Sequence, residues 1–347
     1  MKQTQIFLGL TFSFCVMACS GKGGSDAAPA NPCDVLGFSG SANAGFNTTG
    51  IFTSSPIPTG SISSITPLGN LNPPGHVYPT DHMYIVPTSA TADANTVVAA
   101  AAGTVAAITQ PAGTDYKIVI KVDNSFYYYY DHLHIAGGIG VGSTVTAGQT
   151  VGTNSGLASA VDFGVVNYNL TPLSGILNTC LAQSQSYVDS PLKYYSGALA
   201  TTLYGKVTVS GAATQDGKID YDQSGSIVGD WALSGHQALD STDYQLAFAY
   251  NVSNHGLRIS VGGTLEGGAK VYAVQGGAPD FASVTQASGQ VDYRLYVSSN
   301  GDTSVSGTQT AVLSVQMLSA SQIKVEIFQG NVSGTGTFTA NAQIYDR

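Results

Sequence analysis

The chain has 347 residues, 43% of them hydrophobic and only 10% charged, with 42 glycines, 19 tyrosines and a formal net charge of -9. This apolar content supports real cores, the length favours two domains, and the glycine and tyrosine point to an all-β protein with many tight turns. The acidic balance excludes nucleic acid as a partner, because that affinity comes from Lys and Arg displacing counterions.

Met1-Lys2 is a short charged start, and Ile6 to Val16 is apolar apart from Thr11 and Ser13. A charged beginning, an apolar stretch too short to span a bilayer and small residues before Cys19 read as an export signal over residues 1–18. Met17-Ala18-Cys19 resembles the lipobox of bacterial lipoproteins, which implies acylation of Cys19; the competing reading is an ordinary secretory signal with a chance cysteine. Ser20 after the cysteine leans, by analogy with lipoprotein sorting, towards an outer-membrane anchor facing the periplasm. Residues 19–34 then form a Gly/Ser/Ala/Pro-rich tether. Cys33 and Cys180 remain for an oxidising compartment, either paired in a disulfide or separately buried.

A first β-rich block is expected over residues 35–198. Thr96–Ile108 is a β-branched and alanine run interrupted by Gly103, and Ile118, Ile120 and Val122 alternate with Val119 and Lys121. Asp123-Asn124-Ser125 is a turn signal, with Phe126–Ile135 as the return strand. Ser143–Thr153 and Val161–Tyr168 complete the block. A second block over residues 199–347 shows strand-like segments at Gly205–Val209, Tyr244–Val252, Leu257–Val261, Val291–Val297, Ala311–Val315 and Ile323–Phe328, which predict a β-sandwich or barrel. No segment has a convincing helical period. Trp231 reads as a core anchor of this second block. Asp216, Asp220 and Asp222 read as a solvated hairpin rather than a calcium loop, since no downstream Glu completes one.

Three pieces of the first block carry a resemblance. Val97-Val98-Ala99-Ala100-Ala101-Ala102-Gly103-Thr104-Val105, Tyr130-Asp131-His132-Leu133 and Gly142–Gly152 resemble, in order and spacing, the lysostaphin-type (LytM-type) zinc endopeptidases that cut peptidoglycan cross-links. The resemblance implies a barrel-sandwich-hybrid type of antiparallel β-sheet with a groove and a zinc site on its floor. His76–Tyr84 is further similar to a subgroup of non-peptidase homologues, as are Asp189–Tyr195, Gly217–Gly225 with Gly229-Asp230-Trp231, and Lys324–Phe328.

Carried over residue by residue, the implied site is altered. The first ligand His falls on His82, and the Asp expected after it falls on Val86. The last strand reads Ala160-Val161-Asp162-Phe163-Gly164-Val165 where the family reads "H-L-H-F-E-V", so Asp162 stands at a ligand His. His132 matches the His that acts on the water. His82, Asp162 and His134 are the candidate ligands for zinc, with His132 and His134 expected on one strand face. His76, Asp81 and Tyr130 are expected to line the groove, and two of the four tyrosines of Tyr127–Tyr130 to be wet.

The favoured expectation is a lipoprotein whose altered groove binds peptidoglycan or an envelope partner without cutting it, zinc not being tightly held. The alternative is an active zinc endopeptidase or amidase with a rewired metal site and His132 as general base. A biotinyl or lipoyl carrier is set aside, because no Lys sits at a suitable turn tip.

Overall fold

The computed structural model describes residues 37–173, 186–236, 241–275, 277–298, 307–330 and 336–347. Cys19, Cys33 and Cys180, with the expected lipid anchor and disulfide, lie outside the described residues. Residues 32–347 form one compact unit, which contains two large hydrophobic cores.

The first core lies under a ten-stranded sheet of β1 (Ile62–Thr66), β2 (Met83–Pro87), β3 (Thr96–Val98), β4 (Gly103–Ala112), β5 (Asp115–Asp123), β6 (Phe126–Ile135), β7 (Thr144–Val145), β8 (Thr150–Asn154), β9 (Val161–Asn167) and β10 (Val188–Asp189). The main path runs β1-β2-β9-β6-β5-β4-β7, with β10 added to β9 and β8 joining β6 to β3. All these pairings are antiparallel. The β5–β6 turn forms as expected: the Asp123 carboxylate accepts from the Ser125 amide at 2.9 Å and its hydroxyl at 2.7 Å.

The three sequence pieces meet in one place. Val97 lies opposite Gly152 and Gly103 opposite Val145. The Ala99 amide donates to the Gln149 carbonyl, and the Gly148 amide to that of Ala99. Tyr130 oxygen accepts from the Ala100 amide at 3.1 Å, and Tyr128 hydroxyl donates to the Ala101 carbonyl at 2.7 Å. Small residues at 99–101, each under 3% exposed, let the two phenols reach the backbone there.

None of Tyr127–Tyr130 is wet; all four are at most 1% exposed. Tyr128 and Tyr130 enter the main core. Tyr127 and Tyr129 face the other side of the sheet, where Phe38 covers them with ring separations of 6.2 and 5.6 Å, and Tyr127 hydroxyl donates to the Ser39 carbonyl. A chain segment far off in sequence therefore dries the face that alternation alone left to solvent. Tyr129 lies over Gly164, its register partner on β9. A Cβ at residue 164 would fall 2.1 Å from the Tyr129 ring, so Gly164→Ala should lower unfolding free energy by about 1–3 kcal/mol through overpacking. Urea denaturation checks this, and an unchanged midpoint would refute it.

The second core fills a closed barrel of β11 (Gly229–Leu233), β12 (Gln245–Tyr250), β13 (Leu257–Val261), β14 (Lys270–Val274), β15 (Gln290–Val297), β16 (Ala311–Ser319), β17 (Gln322–Gln329) and β18 (Gln343–Asp346), with β18 pairing back onto β11. Closure leaves no free sheet edge. Trp231 is fully buried and its indole donates to the Ile227 carbonyl at 2.8 Å, as a core anchor would.

Two expectations about the join are corrected. Gly205–Val209 is not a strand, and a helix, α1 (Gly197–Tyr204), precedes it. Residues 199–219, expected to open the second domain, instead pack Leu203, Val207 and Ile219 into the first core. Asp216, Asp220 and Asp222 go to separate partners: the Tyr204 hydroxyl, Lys218 and the Asp230 amide. The barrel also grips the segment before β2, where Tyr78 hydroxyl donates to the Trp231 carbonyl at 2.9 Å and Leu71 packs with Ala249 and Val271.

Candidate functional site

β2, β9 and β6 lie side by side and bring three predicted residues together. His82 immediately precedes β2. Asp162, on β9, is opposite Tyr84 of β2 and Asp131 of β6. On β6, Tyr130 pairs with Ile118 and Leu133 with Tyr116, so Asp131 and His132 share one opposing residue in a bulge. His132 takes a φ of 67° there, a left-handed conformation that is costly for a residue with a side chain.

The bulge aims His132 into a line of alternating charges. Asp81 Oδ1 is 2.9 Å from His82 Nδ1 and accepts from the Tyr129 hydroxyl at 3.0 Å. Asp162 Oδ2 lies 3.1 Å from His82 Nε2 and 3.4 Å from His132 Nε2. The first contact is at ion-pair distance but lacks hydrogen-bond alignment. Asp115 Oδ2, finally, is 2.8 Å from His132 Nδ1. Asp162, His82 and Asp115 are 2%, 5% and 3% exposed, so these interactions are little screened.

Burial works against every charge in the line, yet the neighbours outweigh it. Desolvation opposes the His82 imidazolium, but the nearby Asp162 charge and the bond to Asp81 raise its pKa to about 10. Desolvation likewise opposes charge on His132, whose pKa the neighbouring Asp162 and Asp115 carboxylates raise to about 9. Asp162 and Asp81, also desolvated, are held well below the usual carboxylate range by the histidines. His76, whose ring stands 5.2 Å from that of His82, is pushed down to about 4 by burial and then by the His82 charge. The site thus pairs two cationic imidazoles with carboxylates and keeps one neutral imidazole beside them.

These residues do not fit the zinc site the resemblance implies. Ligands of one zinc stand within roughly 4.4 Å of each other, twice the usual metal–ligand distance. Among the described residues, the trio of His, Cys, Asp or Glu whose donor atoms all lie within 4.8 Å of one another is Asp115, Asp131 and His132. His82 and His132 each approach Asp162 but stand further than that from one another. The Asp162 carboxylate thus sits between the imidazoles and neutralises both, where an ion would need all three to converge. Val86 is apolar and pairs with Ser64 of β1, away from Asp162.

His134 is not brought to this cluster. The bulge breaks the alternation that put it on the His132 face, and its ring nitrogens meet Asp93 at 2.8 Å and Thr114 at 3.2 Å instead. Tyr130, expected in the groove, is buried in the main core. His76 and Asp81 do line an open cavity of about 390 Å³ with His82, His132 and Asp162. Its remaining wall includes Lys117, Asp131 and, from the barrel side, Thr242 and Gln245. Asp115 and Lys117 escaped sequence reasoning because they belong to no motif; the only signal was a polar–apolar alternation opening β5. Lys117 sits 4.0 Å over the Tyr129 ring and 3.9 Å from Asp131.

No family model matches the chain, and no curated protein does. Among solved structures, it is similar to Csd3 of Helicobacter pylori, with 24% identity, a TM-score of 0.28, and coverage of 35% of this chain and 33% of that one. A candidate glycyl-glycine endopeptidase, LytM, of Ruminococcus gnavus has 18% identity, a TM-score of 0.28, and coverage of 35% and 55%. Lysostaphin has 11% identity, a TM-score of 0.25, and coverage of 81% and 86%. The chain thus spans about a third of the length of Csd3. The three motif pieces are assembled on one antiparallel sheet, and a closed β-barrel follows it.

Proposed function

We propose that this protein is a cell-envelope lipoprotein, anchored by a lipid on Cys19 in the outer membrane, whose lysostaphin-like groove binds peptidoglycan or an envelope partner without cutting it. One observation carries the reading: Asp162 stands where a ligand His is expected and is clamped between His82 and His132, which do not converge on a common point. A hydrolytic zinc needs three protein ligands and an open fourth position, and His82, Asp162 and His132 do not offer that arrangement. The groove itself persists. Its cavity carries Asp131, Lys117, a neutral His76 and neutral polar groups from the barrel side, a lining suited to the amides and charged ends of short peptides. The export signal and tether would hold that groove beside the wall.

Purified murein sacculi test this reading. The protein should co-sediment with them and release no soluble muropeptides, with or without added zinc. Binding should weaken when Asp131 and Lys117, which face the cavity, are both changed to alanine. Muropeptide release that disappears in His132→Ala would overturn the proposal in favour of an active endopeptidase or amidase.

A further inference from the structure

We propose that the chain carries a divalent-metal site at Asp115, Asp131 and His132, displaced from the groove-floor position and using Nδ1 of His132, the ring nitrogen turned away from Asp162. The donor atoms of these three residues already lie within 4.8 Å of one another. Asp115 is 3% exposed, one of its oxygens is 2.8 Å from His132 Nδ1, and the other, also buried, has no hydrogen-bond partner. A buried carboxylate oxygen left without a donor is costly, and a cation beside His132 would supply what it lacks. Asp131 Oδ1 accepts from the His132 amide at 2.9 Å, while Oδ2 is engaged only by Lys117 at 3.9 Å, beyond hydrogen-bond range. One oxygen therefore fixes the carboxylate and the other is free to ligate.

The far side of the ring carries the strongest support. A metal-bound histidine usually donates its other ring N–H to a carboxylate, which fixes the tautomer and the ring plane. Here Asp162 lies 3.4 Å from His132 Nε2, leaving Nδ1 for the ion. The left-handed His132 backbone places Asp131 and His132 on the same side, which a regular strand would not allow. One imidazole nitrogen and two carboxylate oxygens suit Zn²⁺ or Mn²⁺. Asp131 and His132 also line the groove cavity, so a peptide carbonyl or carboxylate in the groove can complete the coordination shell.

This site does not depend on what the groove binds, and metal titration tests it without any groove ligand. The full-length chain in detergent, stripped with chelator and titrated with Zn²⁺ and then Mn²⁺, should bind one equivalent of at least one of them. Asp131→Asn, a change at a partly exposed position, should weaken that binding at least tenfold, and His82→Gln less than threefold. Zinc should shift the His132 imidazole resonances in histidine-labelled protein while moving those of His82 little, a readout that needs no variant to fold. No stoichiometric binding of either ion, or equal losses in Asp131→Asn and His82→Gln, would overturn the proposal.

Discussion

Asp162→Ala should destabilise the protein by about 3–5 kcal/mol, the usual cost of removing one partner from a buried ion pair. The carboxylate is 2% exposed and lies within 3.4 Å of two imidazoles. Without it, His82 keeps only Asp81 and His132 only Asp115, so each buried imidazole loses one of its two carboxylates. The pH dependence should change too. In the parent, the stabilisation from His82 and His132 is fully present below their ordinary pKa of 6.5 and is lost as pH rises through about 9 for His132 and about 10 for His82. The Asp162 contribution has the opposite sign: it is present above the ordinary carboxylate pKa of 3.8 and lost as pH falls below it. Chemical denaturation at pH 6 and pH 10 should therefore show a marked drop for the parent and a much smaller one for Asp162→Ala. A variant as stable as the parent at pH 6, with the same pH profile, would mean that the charge line does not hold the floor together.

Arg347→Ala should cost about 3–4 kcal/mol, from lost charged hydrogen bonds and a desolvated cation–π contact. Its guanidinium donates to the carbonyls of Val228 at 2.6 Å and Gln223 at 2.9 Å, more weakly to those of Ser226 and Asp230, and lies 3.9 Å above the Trp231 ring. It also lies 3.9 Å from Asp222. Burial pushes the Asp222 carboxyl up to about 6 even with the arginine present, and burial and Asp222 push that of Asp230 higher still. Removing the arginine leaves these carboxyls with no cation and leaves the approach to β11 without donors. Tyr78, which donates to the Trp231 carbonyl, should loosen with it. Thermal melting should fall, and the intrinsic fluorescence of Trp231, the sole tryptophan, should shift to the red. A Trp231 signal and melting point matching the parent would contradict this account of barrel closure.

Much of the fold was legible. The Phe126–Ile135 strand has the bounds that its turn signal and aromatic run predict, and the three resembling pieces pair as a set. Five of the eight barrel strands were readable as well, whereas Gly229–Leu233 and Lys270–Val274 escaped even though the latter buries four residues. Others that were missed are short or sparse: Ile62–Thr66 has only two buried apolar residues and Gln343–Asp346 only four residues in all. Helix α1 hid because Gly197-Ala198-Leu199-Ala200-Thr201-Thr202-Leu203-Tyr204 buries Leu203 alone, too little to set a period. In the site, residue identity gave His82, Asp162 and His132, but not their partners. Strand alternation cannot foresee a bulge, so it put His134 beside His132. It also cannot foresee cover from afar, so it left half the tyrosine run wet. Asp115 became visible only once the β5–β6 register was fixed.

The contact between Tyr129 and Gly164 bears on which substitutions this floor tolerates. The lysostaphin-type pattern carries a glutamate at the position of Gly164, yet here an aromatic ring fills that volume and its hydroxyl ties down Asp81. A mutation restoring a side chain at 164 meets the ring, and one restoring histidine at 162 removes the charge that both neighbouring imidazoles depend on. Each single step towards the lysostaphin-type pattern is thus uphill in stability. The floor as it stands resists those changes taken one at a time.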